Sequence, residues 1–156
     1  LTAIRDPKKI VERHFGESLF LAAKLPEAKT LVDIGSGAGF PGLPFAVVRP
    51  TITVTLIESI RKKTVFLKEV AREIGNVRIL HARAEEINES FEWAVCRAVS
   101  PAGILPAMRN LATNIALMAS QTTALDLNGQ WKSPIPIPWG DQRMLLMGHF
   151  RTKRFT

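Results

Sequence analysis

The stretch Leu31-Val32-Asp33-Ile34-Gly35-Ser36-Gly37-Ala38-Gly39-Phe40 decides the fold of this chain. Its beginning belongs to a short, mostly apolar run, Thr30–Ile34, which is typical of a buried strand. Three alternating glycines follow at once, and glycine lets the backbone turn sharply and approach a ligand closely. The stretch therefore predicts a strand that ends in a ligand-binding loop.

The spacing of the glycines separates two classes of ligand. A nicotinamide-dinucleotide loop needs its third glycine at the sixth position, which is Phe40 here, whereas Gly39 comes one residue earlier. Asp33, at the end of the strand, suits a ligand with an ammonium group better than one with a pyrophosphate. S-adenosylmethionine carries an ammonium, a sulfonium and no phosphate. The loop therefore favours S-adenosylmethionine, with a generic glycine turn as the alternative.

Two further positions fit the same ligand. Glu58 follows a β-branched run, Ile52–Ile57, and comes 19 positions after Gly39; a carboxylate there can accept both ribose hydroxyls. The alternative is that Glu58 caps the next helix. After a third strand, Ala84 and Glu85 lie where an adenine would cross the sheet, as a wall and as a partner for the base edge. The alternative is a helix start that favours acidic residues.

Strand and helix patterns alternate along the chain, which predicts parallel βαβ units in one doubly wound sheet. We expect a single domain over residues 1–156, with a helical segment at 1–25, a Rossmann-like core at 30–150 and a basic tail at 151–156. Two strands around the turn Trp139-Gly140-Asp141 predict an antiparallel C-terminal edge strand. The predicted helices are 7–24, one that begins at Pro41 or Pro44 before Phe45–Val48, Arg61–Ile74 and Ile104–Leu111. The remaining predicted strands are Val77–Leu80, Trp93–Cys96, Asn114–Ala119, Trp131–Pro138 and Arg143–Phe150.

Composition narrows the class of protein. The chain has 156 residues, 46% of them apolar, and a formal charge of +7 that favours a polyanionic partner such as nucleic acid. No apolar run approaches the ~20 residues of a membrane helix, and residues 1–20 lack the apolar core of a signal peptide. A single cysteine, Cys96, excludes a disulfide framework or a cysteine-rich zinc site and suits a reducing cytoplasm.

The residues around the fourth strand bear on the reaction. Cys96 follows Val95 in a strand pattern that buries it, so we interpret it as a core residue and not as a nucleophile. An Asn/Asp-Pro-Pro-aromatic run, expected of a methylase of exocyclic amines, is absent. An acceptor that needs no deprotonation, such as guanine N7, fits what remains, because it carries a free lone pair. Arg97 would contact cofactor or RNA phosphate, or else form a structural salt bridge.

Taken together, these stretches resemble the RsmG (GidB) family, the guanine-N7 methyltransferases of bacterial small-subunit ribosomal RNA. The matching segments are Leu1–Asp6, Glu12-Arg13-His14, Asp33–Gly42 with its Phe-Pro-Gly extension, Leu56-Ile57-Glu58-Ser59 with Lys62-Lys63, Arg83-Ala84-Glu85-Glu86, and Arg97-Ala98-Val99. The resemblance implies the fold of a class I S-adenosylmethionine-dependent methyltransferase and activity on 16S ribosomal RNA. One departure is Glu17, where the family usually has aspartate.

The resemblance also implies site residues. Cofactor contacts are expected at Gly35, Phe40, Ala84, Glu85 and Arg97, in addition to Asp33, Gly37, Gly39 and Glu58 from the reasoning above. Arg13 and His14 are expected to line the acceptor side with Arg97. From the residues alone, His14 is interpreted as a histidine on a helix face.

Other functions stay open at this point. They are methyl transfer to a small molecule or a protein, an RNA-binding domain without catalysis, and a nicotinamide-dependent oxidoreductase. The basic clusters Arg61-Lys62-Lys63 and Arg151-Thr152-Lys153-Arg154 are either phosphate contacts or solvated ends. Trp131 and Trp139 either stack on bases or pack over the sheet edge, and packing is favoured. We expect a cytoplasmic monomer without a metal.

Overall fold

The computed structural model describes residues 6–97, 101–120, 131–139 and 142–150. In these ranges a seven-stranded sheet carries helices on both faces. The strands are β1 Thr30–Ile34, β2 Thr53–Glu58, β3 Val77–His81, β4 Phe91–Arg97, β5 Ala112–Ser120, β6 Ile135–Pro136 and β7 Arg143–His149. The helices are α1 Pro7–Ile10, α2 Glu17–Lys24, α3 Gly42–Val48, α4 Arg61–Val70 and α5 Pro101–Leu111.

The strands lie in the order β3-β2-β1-β4-β5-β7-β6. Strands β1 to β5 are parallel, and β7 runs antiparallel beside β5. The chain moves outward from β1 to β3 and then returns to the other side of β1, so the switch point lies between β1 and β4. This confirms the predicted doubly wound, mostly parallel sheet. The antiparallel strand is β7, and the two-residue β6 lies outside it.

The N-terminal helix is continuous over Pro7–Lys24, as predicted, but its middle is not α-helical. Asp6 caps the start by accepting a 3.0 Å hydrogen bond from the backbone N–H of Lys8. Between α1 and α2, residues Val11–Gly16 form a π-helical segment, which the spacing of apolar residues did not predict. Helix α2 then buries Leu21 and Ala22 against the sheet.

The predicted strand Trp131–Pro138 is mostly wrong. Only β6 pairs with β7, and Trp131 forms one isolated bridge to Gly148. The segment contains prolines at positions 134, 136 and 138, which have no N–H to donate to a ladder. The helix predicted over Arg61–Ile74 ends earlier, at Val70, and continues as a short 3-10 turn. The predicted turn residues 140–141 and the basic tail lie outside the described residues.

Two apolar clusters fill the space on either side of the sheet. The first packs α2, α3 and α4 against one face and includes Phe45 and Leu67, both fully buried. The second packs α5 against the other face and includes Met108 and Leu111. Both faces of the central strands are therefore covered, and ligands of such sheets bind at the carboxyl ends of the strands.

Candidate active site

Three predicted site residues share one corner of the sheet. Asp33, Glu58 and Arg97 stand at the carboxyl ends of β1, β2 and β4. Side chains alternate between the two faces of a strand. The residues two positions earlier are Leu31, Leu56 and Val95, and all three belong to the first apolar cluster. The three site residues therefore project on the side of the sheet that α2, α3 and α4 cover.

The glycine loop follows β1 and uses backbone conformations that favour glycine. Gly35, Gly37 and Gly39 have φ angles of 69°, 58° and 94°. The N–H groups of Gly35 and Ser36 donate to the carbonyl of Ile57 at 2.9 and 3.1 Å, which fixes the loop beside the end of β2. A Cβ at Gly39 would overlap the side chain of Leu43, so the loop also lies directly against α3. These positions confirm the strand-loop-helix prediction.

Asp33 is a buried carboxylate with one oxygen unused. It is 1% exposed, and its Oδ2 accepts a 3.0 Å hydrogen bond from the N–H of Gly42. Oδ1 has no hydrogen-bond partner among the residues that the structure describes. Burial raises the pKa of Asp33 to about 7, against the opposing effects of the Gly42 N–H and the Arg97 charge. A cationic group of a ligand would supply the partner that Oδ1 lacks.

Glu58 joins the glycine loop to the start of α4. It is 4% exposed; its Oε2 accepts from the N–H of Gly37 at 3.0 Å, and its Oε1 accepts from the N–H of Ile60 at 2.8 Å. The contact with Ile60 agrees with the alternative that Glu58 caps the next helix, whereas the contact with ribose hydroxyls stays a prediction. Each carboxylate oxygen keeps a second lone pair, which leaves acceptor capacity for hydroxyl groups of a ligand.

Ala84 and Glu85 lie in a 3-10 turn, Ala84–Glu86, after β3. Ala84 is buried in the second apolar cluster, whereas Glu85 is exposed. Neither residue forms a hydrogen bond with the glycine loop. Glu86 accepts a 2.9 Å hydrogen bond from the N–H of Arg83, so this acid supports the turn. The structure thus places Ala84 and Glu85 after the third strand, as expected.

The N-terminal helix crosses the glycine loop through aromatic contacts. The His14 ring stacks on Phe40, with centroids 4.8 Å apart and planes at 22°. Phe15 meets the same ring edge-on at 5.0 Å. His14 is buried, and burial, followed by the charge of Arg97, lowers the pKa of its imidazole. Sequence reasoning placed His14 on the acceptor side; in the structure it lies against the last residue of the glycine loop.

Arg97 connects the fourth strand to this helix. Its guanidinium donates a 2.7 Å hydrogen bond to the carbonyl of Arg13, lies 5.7 Å from the Phe40 ring centroid and is 4.0 Å from the carboxylate of Glu17. The approach to Glu17 agrees with the alternative of a structural salt bridge, and the contact with cofactor or RNA phosphate stays a prediction. One end of the sheet therefore brings together Arg13, His14, Phe40 and Arg97. Arg13 takes part through its backbone carbonyl, which accepts the hydrogen bond from Arg97.

Sequence reasoning missed an ion pair beneath Arg97. Glu17 is 1% exposed and accepts from Arg143 Nε and Nη2 at 3.3 and 3.1 Å. Arg143 is the first residue of β7. The glutamate in place of the usual aspartate was a signal at Glu17, but nothing in the sequence connected it with a residue 126 positions away.

Cys96 is confirmed as a core residue. Its side chain is 1% exposed in the second apolar cluster, and burial raises the pKa of the thiol to about 12. A thiol with such a pKa supplies almost no thiolate at neutral pH. The described residues contain no cluster of three or more His, Cys, Asp or Glu side chains suited to a metal ion. No helix in the described ranges is long and apolar enough to cross a membrane.

Solved structures of methyltransferases superpose on this chain over most of its length. An S-adenosylmethionine-dependent methyltransferase from Aquifex aeolicus superposes with a TM-score of 0.72 at 15% identity and covers 94% of each chain. The magnesium protoporphyrin IX methyltransferase of Synechocystis PCC 6803, solved with bound S-adenosylmethionine, has a TM-score of 0.72 at 13% identity and covers 96% of this chain and 87% of its own. The fold is that of the class I S-adenosylmethionine-dependent methyltransferases.

The sequence specifies the family within this fold. The profile of the GidB family, rRNA small subunit methyltransferase G, matches residues 1–133, and the chain belongs to this family. A Ribosomal RNA small subunit methyltransferase G from Clostridium perfringens strain 13 is 44% identical over 110 residues, 64% of this chain and 46% of that protein. The protein of the same name from Fusobacterium nucleatum is 46% identical over 112 residues, 67% of this chain and 48% of that protein. The chain thus spans about half the length of these relatives.

Proposed function

We propose that this chain is an S-adenosylmethionine-dependent methyltransferase that modifies guanine N7 in bacterial 16S ribosomal RNA. The observation that carries the proposal is the buried Asp33, with an unused oxygen, beside a glycine loop that Glu58 holds from the neighbouring strand. Membership of the rRNA small subunit methyltransferase G family supports the choice of acceptor. The charge of +7 agrees with a nucleic-acid partner, and the family's ribosomal substrate implies action in the bacterial cytoplasm.

The residues present fit this cofactor. Asp33 would bind its ammonium group, because Oδ1 lacks another partner and α3 holds the carboxylate in place through Gly42. Glu58 would accept the ribose hydroxyls with its remaining lone pairs. The loop Gly35–Phe40 would pack against the amino-acid part, and Ala84 and Glu85 would bind the adenine. When bound, S-adenosylmethionine supplies an electrophilic methyl group, which guanine N7 takes with its own lone pair as the carbon–sulfur bond breaks.

Methyl transfer to guanine N7 requires little chemical assistance from the side chains of this protein. Guanine N7 carries no proton, so no general base is required, and alignment supplies most of the rate enhancement. His14 suits this task because its lowered pKa keeps the imidazole neutral at pH 7. A neutral ring beside Phe40 forms a wall without repelling a sulfonium. Arg13, whose side chain is exposed, would bind RNA phosphate.

The test is transfer of a labelled methyl group from S-adenosylmethionine to 16S ribosomal RNA that lacks this modification, followed by nucleoside analysis. The expected product is 7-methylguanosine. An Asp33→Asn variant, which removes the charge and keeps the shape, should lose most of the transfer. Transfer of the label to a protein or a small molecule would contradict the proposed RNA acceptor. RNA binding without any cofactor binding would contradict the proposed catalytic activity.

A further inference from the structure

The π-helical segment Val11–Gly16 receives two hydrogen bonds from side chains far along the chain. Trp139 Nε1 donates to the carbonyl of Glu12 at 3.1 Å, and Arg97 donates to the carbonyl of Arg13 at 2.7 Å. The Glu12 carbonyl also accepts the N–H of Glu17, five positions on, which defines the π register. Such registers are rare, appear mostly as single turns within α-helices and are frequent at functional sites. Contacts to these carbonyls therefore stabilise an uncommon backbone next to His14.

Trp139 packs along one side of the helix. Its indole contacts Glu12 by the hydrogen bond and meets the Phe20 ring edge-on, with centroids 5.8 Å apart. Gly16 lies between Glu12 and Phe20 in the sequence, and a Cβ at this position would lie 3.0 Å from the indole nitrogen of Trp139. Positions 12, 16 and 20 are spaced so that they share a helix face. Gly16 thus leaves the room that the indole occupies.

A second contact comes from the other side of the same turn. Trp139 follows β6, and Arg143, four positions later, begins β7 and forms the ion pair with the buried Glu17. Arg143 Nη2 also donates to the carbonyl of Met118 near the end of β5 at 3.4 Å. The hairpin is therefore fixed to the sheet through Arg143 and holds the helix at residues on both sides of Gly16.

We propose that the β6–β7 hairpin positions the acceptor side, with Trp139 and Arg143 as its positioning residues; this rests on the proposed function. The hairpin holds the π register in which His14 stacks on Phe40 and the Arg13 carbonyl accepts the hydrogen bond from Arg97. If the segment became α-helical, its two ends would rotate relative to each other by about 100°, the rotation of one residue in an α-helix. The His14 ring would then leave Phe40, while the hydrogen bonds of the glycine loop with Ile57 and Glu58 would be unchanged.

The experiment compares Trp139→Phe with Trp131→Phe in the full chain. Trp139→Phe removes the N–H and keeps an aromatic ring, whereas the Trp131 Nε1 has no partner among the described residues and provides the matched control. The first readout is the proton NMR signal of the His14 imidazole, which stacking on Phe40 shifts by ring current. The chain has three histidines, so His81→Gln and His149→Gln assign the signal.

We expect Trp139→Phe to move the His14 signal toward that of a free imidazole and to raise its pKa toward the ordinary value. Methyl transfer to RNA should fall about fivefold in kcat, the rate equivalent of one hydrogen bond, while the Kd for S-adenosylmethionine stays within about twofold. Gly16→Ala, which displaces the indole, should shift His14 in the same direction. Trp131→Phe should change none of these.

A His14 signal that stays in place in both Trp139→Phe and Gly16→Ala overturns the proposal. A drop in kcat that Trp131→Phe reproduces also overturns it, because the effect would then be general. Failure of the wild-type chain to methylate RNA is a different outcome. It would contradict the proposed function, while the His14 shift would still establish that the hairpin holds the π register.

Discussion

The guanidinium of Arg97 donates a 2.7 Å hydrogen bond to the main-chain carbonyl of Arg13, which lies 84 positions earlier in the chain. The bond joins the end of β4 to the helix that crosses the glycine loop. Because it uses the carbonyl of Arg13, replacing that side chain leaves the bond in place. The charge of Arg13 and the anchoring by Arg97 can therefore be changed separately.

Arg13→Ala should reduce methyl transfer to RNA by about tenfold in kcat/KM, the effect of losing about 1.4 kcal/mol of phosphate binding. The Kd for S-adenosylmethionine should not change, because the carbonyl contact remains. Arg97→Ala should impair both cofactor binding and transfer. Steady-state kinetics with 16S ribosomal RNA and calorimetry with the cofactor separate the two. Arg72→Ala, an exposed charge beyond the far end of α4, is the control; if Arg13→Ala matches it, Arg13 is only a surface charge.

Glu58→Ala should weaken binding of S-adenosylmethionine by roughly 1.5–3 kcal/mol, the cost of a hydrogen bond to a charged group. The carboxylate also holds the N–H of Gly37, so the loop loses a partner together with the ligand. Calorimetry measures the change, with Glu69→Ala on the exposed side of α4 as the control. The wild-type chain should not bind NAD; NAD binding without S-adenosylmethionine binding would reverse the assignment of the loop.

The sequence predicted where the glycine loop, Asp33 and Glu58 lie in the fold because the determinants of their positions are local. The glycines, Asp33 and Glu58 each follow a strand whose apolar pattern is strong, and parallel strands bring their carboxyl ends to one edge. The family assignment that these motifs predicted is confirmed. The roles of individual side chains in binding and catalysis stay predictions.

The surroundings of Arg13, His14 and Arg97 were less predictable because they depend on contacts between distant residues. No periodicity reveals a single extra residue in a helix, so the π segment was missed. Glu17 and Arg143 are 126 positions apart, and their pairing requires the register of β7 against β5. The strand predicted at 131–138 was wrong for a reason that the sequence already contains. Its three prolines lack the N–H groups that donate hydrogen bonds between strands.

Asp33 should make stability depend on pH in an unusual direction. Its folded pKa of about 7 lies above its ordinary 3.8, so the folded state binds the extra proton between these values. The free energy of unfolding contributed by this group therefore falls as pH rises from about 4 to about 7. Asp33→Asn should remove that decrease. Chemical denaturation at several pH values measures it, and equal pH profiles for the two proteins would refute the shift.

RNA binding should weaken steeply with salt. A chain of charge +7 that contacts phosphates releases counterions, and log Kd then changes linearly with log salt. Arg13→Ala should lower the slope by about 1 if its side chain contacts one phosphate. Filter binding or fluorescence anisotropy over a range of potassium chloride measures the slope. An affinity that does not change with salt would argue against any phosphate-contacting surface.

Glu17 should be the most sensitive charged residue for stability. It lies buried below two guanidinium groups, Arg143 at 3.1 Å and Arg97 at 4.0 Å. Removing one partner of a buried pair leaves the other charge without compensation, at a cost of about 3–5 kcal/mol. Glu17→Ala should therefore lower the free energy of unfolding by this amount.

Replacing both Glu17 and Arg143 with apolar residues separates their effect on stability from their effect on activity. Glu17→Met combined with Arg143→Met removes the uncompensated charge, so much of the stability lost in Glu17→Ala should return. Methyl transfer should stay low in the double variant, because Arg97 loses its nearby carboxylate and the hairpin loses its hold on α2. Denaturant unfolding and RNA methylation are measured on the same samples, with the exposed pair Glu69–Arg72 mutated as the control. If activity returns together with stability, Glu17 supports the fold alone and does not position Arg97.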